Sequence, residues 1–146
     1  MLRFKLVVLG LLLSLCMSAQ TDSVFHTYVY NEEYKVYLDL DLTGEGIGVP
    51  GQDVFGKVPG YLGAVRDSRK WLVTDVKTKG NVAKLDIVND YGSEDLEATL
   101  TYNPKDGTYR LQQGSGSRIK IVVNRKWVKL PSDMVFVRHE RVPDEW

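Results

Sequence analysis

The chain of 146 residues holds one cysteine, Cys16, and two histidines, His26 and His139. A lone cysteine closes no disulfide within the chain, so a folded domain here must be held by its core. The same scarcity excludes cysteine-rich zinc sites; the two histidines with an acid are the one such set left. Neither sign of charge is in excess, since 19 Lys and Arg face 19 Asp and Glu. A near-neutral chain lacks the basic footprint that nucleic acid requires. The longest apolar run, Leu6 to Leu15, falls short of the about 20 residues that span a bilayer. No serine stands in G-x-S-x-G. The glycines of "GEGIG" (44–48) precede no helical pattern, so they make no dinucleotide fingerprint. No internal repeat is evident.

What is present begins with a leader. Arg3 and Lys5 form a positive start, the apolar run follows, and Ser18 and Ala19 supply small residues. This order predicts a signal peptide over 1–19, cleaved near Ala19–Gln20, and an exported domain, periplasmic or secreted, over 20–146. Cys16 leaves a second route open, in which lipidation tethers the chain to the outer membrane; Leu15 stands where that route normally has a small residue. Cleavage removes two bases and no acid, leaving 17 Lys and Arg against 19 Asp and Glu, a net charge of −2 over about 127 residues. That is the usual size of one domain with one core.

From Val24 onward apolar residues recur with period two. "YKVYLDLDL" sets Tyr34, Val36, Leu38, Leu40 and Leu42 on one face; "VAKLDIVN", "LEATLTY" and "SRIKIVV" alternate likewise. Alternation marks strands with one buried and one wet face, and favours antiparallel pairing. Turn residues punctuate the runs at 79–81, 103–108, 113–117 and 124–126. The segment Thr43 to Gly63 differs, with seven of the 13 glycines and two of the five prolines. It reads as a long ordered loop, either functional or a cover for the barrel. A turn of helix is expected over 60–68, and the tail "RVPDEW" is expected to fray. The fold class is therefore all-β: a single, mainly antiparallel β-barrel of about eight to ten strands with a long Gly/Pro-rich loop.

The acidic stretch "NDYGSEDLEATL" (89–100) is the sharpest candidate for chemistry. It lacks the EF-hand spacing, and Asp90, Glu94 and Asp95 read better as a polar turn around Gly92. Asp39 and Asp41 share an outward strand face, where both are expected to stay ionised, which makes them poor candidates for paired-carboxylate hydrolysis. His26 and His139 lie near the two ends of the domain, which a barrel brings together. Aromatics are plentiful, and Phe25, Tyr34, Tyr102, Tyr109 and Phe136 fall on inward faces. They build either a core or a cavity lining. Arg138 shares the face of Met134 and Phe136. Its guanidinium is expected over an aromatic ring at a barrel end, with Trp71 or Trp127 as the ring.

The stretch "WLVTDVKTKGNVAKLDIVNDYGSEDLEATLTY" (71–102), with a leader ending in "SAQ", resembles small secreted proteins of unknown function from Bacteroidetes-type bacteria. That resemblance implies an envelope or secreted setting. The meander is also similar to the calycin superfamily, the lipocalins and their relatives, with Arg138 in the place of that family's closing arginine. The departure is the missing G-x-W on the first strand, since "VFHTYVY" has no tryptophan. The function expected is that of an exported, non-enzymatic module binding a small apolar or amphipathic ligand or a cell-envelope partner. Trp71, Tyr102, Tyr109, Trp127 and Arg138 are the candidate ligand-binding residues, with no catalytic residue, metal or cofactor. The alternatives are a structural protein presenting a β surface to another chain, and an enzyme using the 43–63 loop.

Overall fold

The computed structural model describes residues 24–146, so the leader and Cys16 lie outside the described residues. The strands are β1 (His26–Asn31), β2 (Val36–Asp41), β3 (Ile47–Gly48), β4 (Lys57–Val58), β5 (Gly60–Ala64), β6 (Asp67–Lys79), β7 (Val82–Asn89), β8 (Asp95–Asn103), β9 (Thr108–Gly116), β10 (Lys120–Val123), β11 (Lys126–Lys129) and β12 (Asp133–Arg138). No helix forms among the described residues. Eight strands close a barrel in the order β1-β12-β9-β8-β7-β6-β5-β2, with every neighbour antiparallel. The path is an up-and-down meander into which two ribbons, β3–β4 and β10–β11, are inserted.

The period-two pattern becomes the barrel interior. Leu38 and Leu40 of β2, Leu62 of β5, Leu85 and Ile87 of β7, Leu100 of β8, Leu111 of β9 and Phe136 of β12 are all fully buried. Burying each such side chain is worth about 1.5–3 kcal/mol relative to exposure. They form one continuous cluster from Val24 to Phe136. The interior is therefore packed with side chains, as small eight-stranded barrels commonly are.

Turn chemistry fixes the register. Asn124 and Arg125 between β10 and β11 both have positive φ, 51° and 65°, the signature of a type I′ hairpin. Gly116 has φ +109°, and a Cβ there would sit 2.5 Å from the Asp95 carbonyl oxygen. Only glycine can end β9 this close to β8. The pattern at 113–117 was expected to turn; β9 instead runs on to Gly116 through a bulge opposite Leu96 and Ala98. Glycine in that run serves close approach, not chain reversal. The helical turn expected over 60–68 is likewise absent. Gly60–Ala64 is a strand pairing both β2 and β6, and Tyr37 lies over Gly63.

A second apolar layer lies outside the barrel wall. Tyr30, Tyr37, Tyr61, Val65 and Leu72 project outward from β1, β2, β5, the β5–β6 turn and β6. They are covered by Ile47, Val49 and Val58 of the Gly/Pro-rich segment and by Val142 of the tail. The tail is thus docked rather than frayed. The Glu145 amide donates to the Val65 carbonyl at 2.7 Å, the Val142 amide to the Tyr28 hydroxyl at 3.2 Å, and Arg141 to Asp39 at 2.5 Å. Asp39 does face outward, as expected, and the cover buries it to 4% exposure.

Candidate functional site

The registers place the 32–35, 65–66 and 90–94 turns at one end of the barrel, together with the β10–β11 ribbon. We call this end the mouth. The ribbon plugs it: Ile119, Ile121 and Leu130 join the interior cluster and are buried. Three polar contacts fasten the plug. The Trp71 indole N–H donates to the Lys120 carbonyl at 3.2 Å, the Val122 amide to Asp67 at 2.8 Å, and Lys120 Nζ to Glu94 at 3.1 Å. Asp67 is itself buried and also holds Arg69 at 3.0 Å.

The 90–94 turn is knit from its own sequence. The Asn89 side-chain carbonyl accepts from the Ser93 amide at 2.9 Å and from the Glu94 amide at 3.3 Å, as an Asx residue opening a turn does. Asp90 receives the Lys70 amide at 3.0 Å and returns its own amide to the Lys70 carbonyl at 3.0 Å. Glu94 is spent on the Lys120 ion pair, Glu97 accepts from the Ser115 hydroxyl at 3.2 Å, and Asp90 uses one oxygen on the Lys70 amide. Among the described residues no group of three His, Cys, Asp or Glu converges in a metal-holding arrangement. His26 pairs with Asp41 at 2.9 Å, and His139 packs on Tyr30 with ring centroids 4.9 Å apart. The His26 contact, first, and the Gly46 amide hold the Asp41 carboxyl below its ordinary value against a smaller effect of burial.

Around this turn three large aromatics stand open to solvent: Tyr91 is 77% exposed, Trp127 57% and Trp146 61%. Cations brace the two indoles. The Arg69 guanidinium lies 5.0 Å and Lys120 Nζ 5.1 Å from the Trp127 ring centre, and Lys70 Nζ lies 5.2 Å from that of Trp146. Such contacts hold an exposed ring in place. Lys70 is buried, donates to the Ser68 carbonyl at 2.8 Å, and burial lowers its pKa. Two clefts open here. One, of about 270 Å³, runs between Trp127 and Tyr91 over Asn89, Asp90 and Glu94. The other, of about 380 Å³, runs between Tyr91 and Trp146 beside Gln52. Arg69, Asp90 and Tyr91 line both.

The five expected ligand-binding residues do not form one site. Trp71 and Trp127 are at the mouth, but Trp71 is 3% exposed and belongs to the core. Tyr102, Tyr109 and Arg138 are at the far end. There the Tyr109 hydroxyl donates to the Val24 carbonyl at 2.5 Å and accepts from Arg138 at 3.1 Å. The Arg138 guanidinium sits 6.0 Å from the Tyr102 ring centre. Arg138 therefore does lie over an aromatic ring at a barrel end, but that ring is Tyr102, with the Tyr109 hydroxyl as its hydrogen-bond partner. Neither tryptophan can serve, because β6 and the ribbon carry them to the opposite end. Tyr91 and Trp146 escaped the sequence reading because a loop and an irregular tail give no periodicity by which to place them. Comparison with protein-family models, curated proteins and solved structures finds no match to this chain.

Proposed function

We propose that the protein is a non-enzymatic binding module whose ligand, small and amphipathic, is held at the barrel mouth and not inside the barrel. The supporting observation is the combination of a packed interior with three exposed aromatics braced around two adjoining clefts. Exposed Leu or Val scattered over a surface needs no explanation; clustered, oriented tryptophan and tyrosine are the composition of recognition surfaces. The larger cleft is at the small end of the range of about 300–1,000 Å³ found for small-molecule sites, and the smaller one falls just below it. Export, with or without a lipid tether at Cys16, and kinship with Bacteroidetes-type or calycin-like proteins belong to the same proposal, supported by the leader and the meander.

The test uses the three tryptophan indole N–H signals in a nitrogen–proton correlation spectrum. Sub-micellar lauryldimethylamine oxide, an amphipathic probe, is titrated in. The Trp127 and Trp146 indole signals and the Tyr91 amide should shift saturably, while the amides of Tyr109 and Leu111 stay fixed. Shifts that never saturate, or that concentrate on interior residues, reject the mouth as the site.

A further inference from the structure

Resting on that reading, we propose a chemical class for the ligand: the mouth binds a neutral oligosaccharide, with successive sugar rings seated in the clefts on either side of Tyr91. The charges at the mouth are balanced in pairs. Arg69 has Asp67 at 3.0 Å and Lys120 has Glu94 at 3.1 Å. An anionic ligand would meet the Asp90 and Glu94 carboxylates that line the same cleft, and a cationic one would meet the three positive groups Arg69, Lys70 and Lys120. Neither sign is favoured, which excludes phosphorylated, carboxylated and quaternary-ammonium ligands as the primary fit.

The cleft walls also keep hydrogen-bonding capacity in reserve. Among the described residues, Arg69 uses only Nη1 in a side-chain bond, and Lys120 Nζ makes one bond of its possible three. Asp90 uses Oδ2 and leaves Oδ1 open, and the Tyr91 hydroxyl makes no bond. The cleft walls thus carry both free donors and a free acceptor. A hydroxyl both donates and accepts, so a ring bearing several hydroxyls matches such a wall. A hydrocarbon ligand would instead leave these groups desolvated and unpaired. Shape favours the same class. A sugar ring has an apolar C–H face that lies on an aromatic plane while its hydroxyl rim reaches polar groups. Trp127, Tyr91 and Trp146 offer three such planes. Because Tyr91, Arg69 and Asp90 line both clefts, one ring in each would be adjoining, which favours an oligosaccharide over a single sugar.

The experiment is a glycan array carrying neutral gluco-, manno-, galacto- and xylo-oligosaccharides beside uronic-acid and sulfated counterparts, followed by calorimetry on the hits. The wild type, Trp127→Ala and Tyr91→Ala are compared, with melting temperature as the check on folding; both side chains are exposed, so the variants should fold. The expected result is saturable binding of a neutral oligosaccharide, with affinity at least tenfold lower in each variant and the monosaccharide bound far more weakly. Binding confined to acidic glycans overturns the class, as does neutral binding that neither substitution weakens. No glycan binding while lauryldimethylamine oxide still shifts the mouth signals also overturns the saccharide class and leaves the mouth reading standing. Failure of both probes removes both.

Discussion

Asp39 offers the most informative perturbation of the fold. It lies on β2 at 4% exposure, and its carboxylate is held by Arg141 at 2.5 Å from a tail with no regular secondary structure. The pair is asymmetric: the Asp39 side chain is 6% exposed and that of Arg141 68%. Breaking a fully buried pair by removing one partner costs about 3–5 kcal/mol, because the other charge is stranded. An exposed pair is worth about 0–1 kcal/mol. With Arg141 two-thirds in water, solvent screens part of the attraction. If Arg141 is removed, the tail can also lift and hydrate Asp39, which caps the cost at the tail's own docking energy. Arg141→Met should therefore destabilise by about 1–2 kcal/mol, between those limits. Asp39→Asn with Arg141→Met should restore part of that loss, giving a double-mutant coupling of about 1 kcal/mol. Urea melts of the four proteins measure it. Hydrogen exchange should show the Val142 and Glu145 amides losing protection in Arg141→Met while Leu100 keeps its own. A coupling below about 0.3 kcal/mol, with tail protection intact, would refute the idea that this pair clamps the tail.

Two further outcomes follow from the barrel ends. Arg138→Ala should cost about 0.5–1.5 kcal/mol in a urea melt, through lost stacking on Tyr102 and a lost bond to Tyr109; the residue is exposed at the rim, so a loss above about 3 kcal/mol would mean a buried role. Asp41 has a folded pKa below its ordinary 3.8, so its contribution to stability is present above that value and is lost as pH falls through the lowered one. His26→Ala should move the Asp41 carboxyl titration, followed by carbon NMR, back up toward 3.8, and an unchanged titration would show that the Gly46 amide alone sets it.

The barrel was legible because its rule is local. Val36, Leu38, Leu40 and Leu42 alternate with residues of the other face, and that alternation alone separates core from wall. Hairpin positions followed from the same kind of evidence, as at Gly80 and Gly107, each with positive φ in its turn. The errors came where meaning is non-local. Gly60–Ala64 has no alternation, since both of its faces are buried: the interior on one side, Val49, Val58 and the tail on the other. A strand covered twice loses its period-two signature. The burial of Asp39 is hidden in the sequence for the same reason. Nothing near it in sequence announces the partner 102 residues away that neutralises it.

The candidate site was only half visible, and the reason is geometric. An aromatic on an inward strand position declares itself by phase, so Tyr109 and Phe136 could be placed inside without a structure. Phase carries no information on which end of the barrel a residue reaches; that depends on strand direction and on where each hairpin turns. Grouping Trp71 and Trp127 with Tyr102, Tyr109 and Arg138 ignored this, and the two sets fall at opposite ends. The exposed aromatics of the mouth come from three elements that no pattern unites: the β7–β8 turn (Tyr91), the plug ribbon (Trp127) and the tail (Trp146). Each is anchored by contacts independent of its ring, namely the Asn89 turn bonds, the Trp71 and Asp67 bonds to the ribbon, and the Glu145 bond to Val65. Ring identity at the mouth can therefore vary at little cost to the scaffold. The inward positions tolerate no such change, because deleting a buried Leu or Phe side chain leaves a cavity worth about 2–5 kcal/mol. Substitution scanning should separate the two populations. Tyr91 and Trp127 should be tolerant in stability and intolerant in binding, and Leu38, Leu100 and Phe136 intolerant in stability.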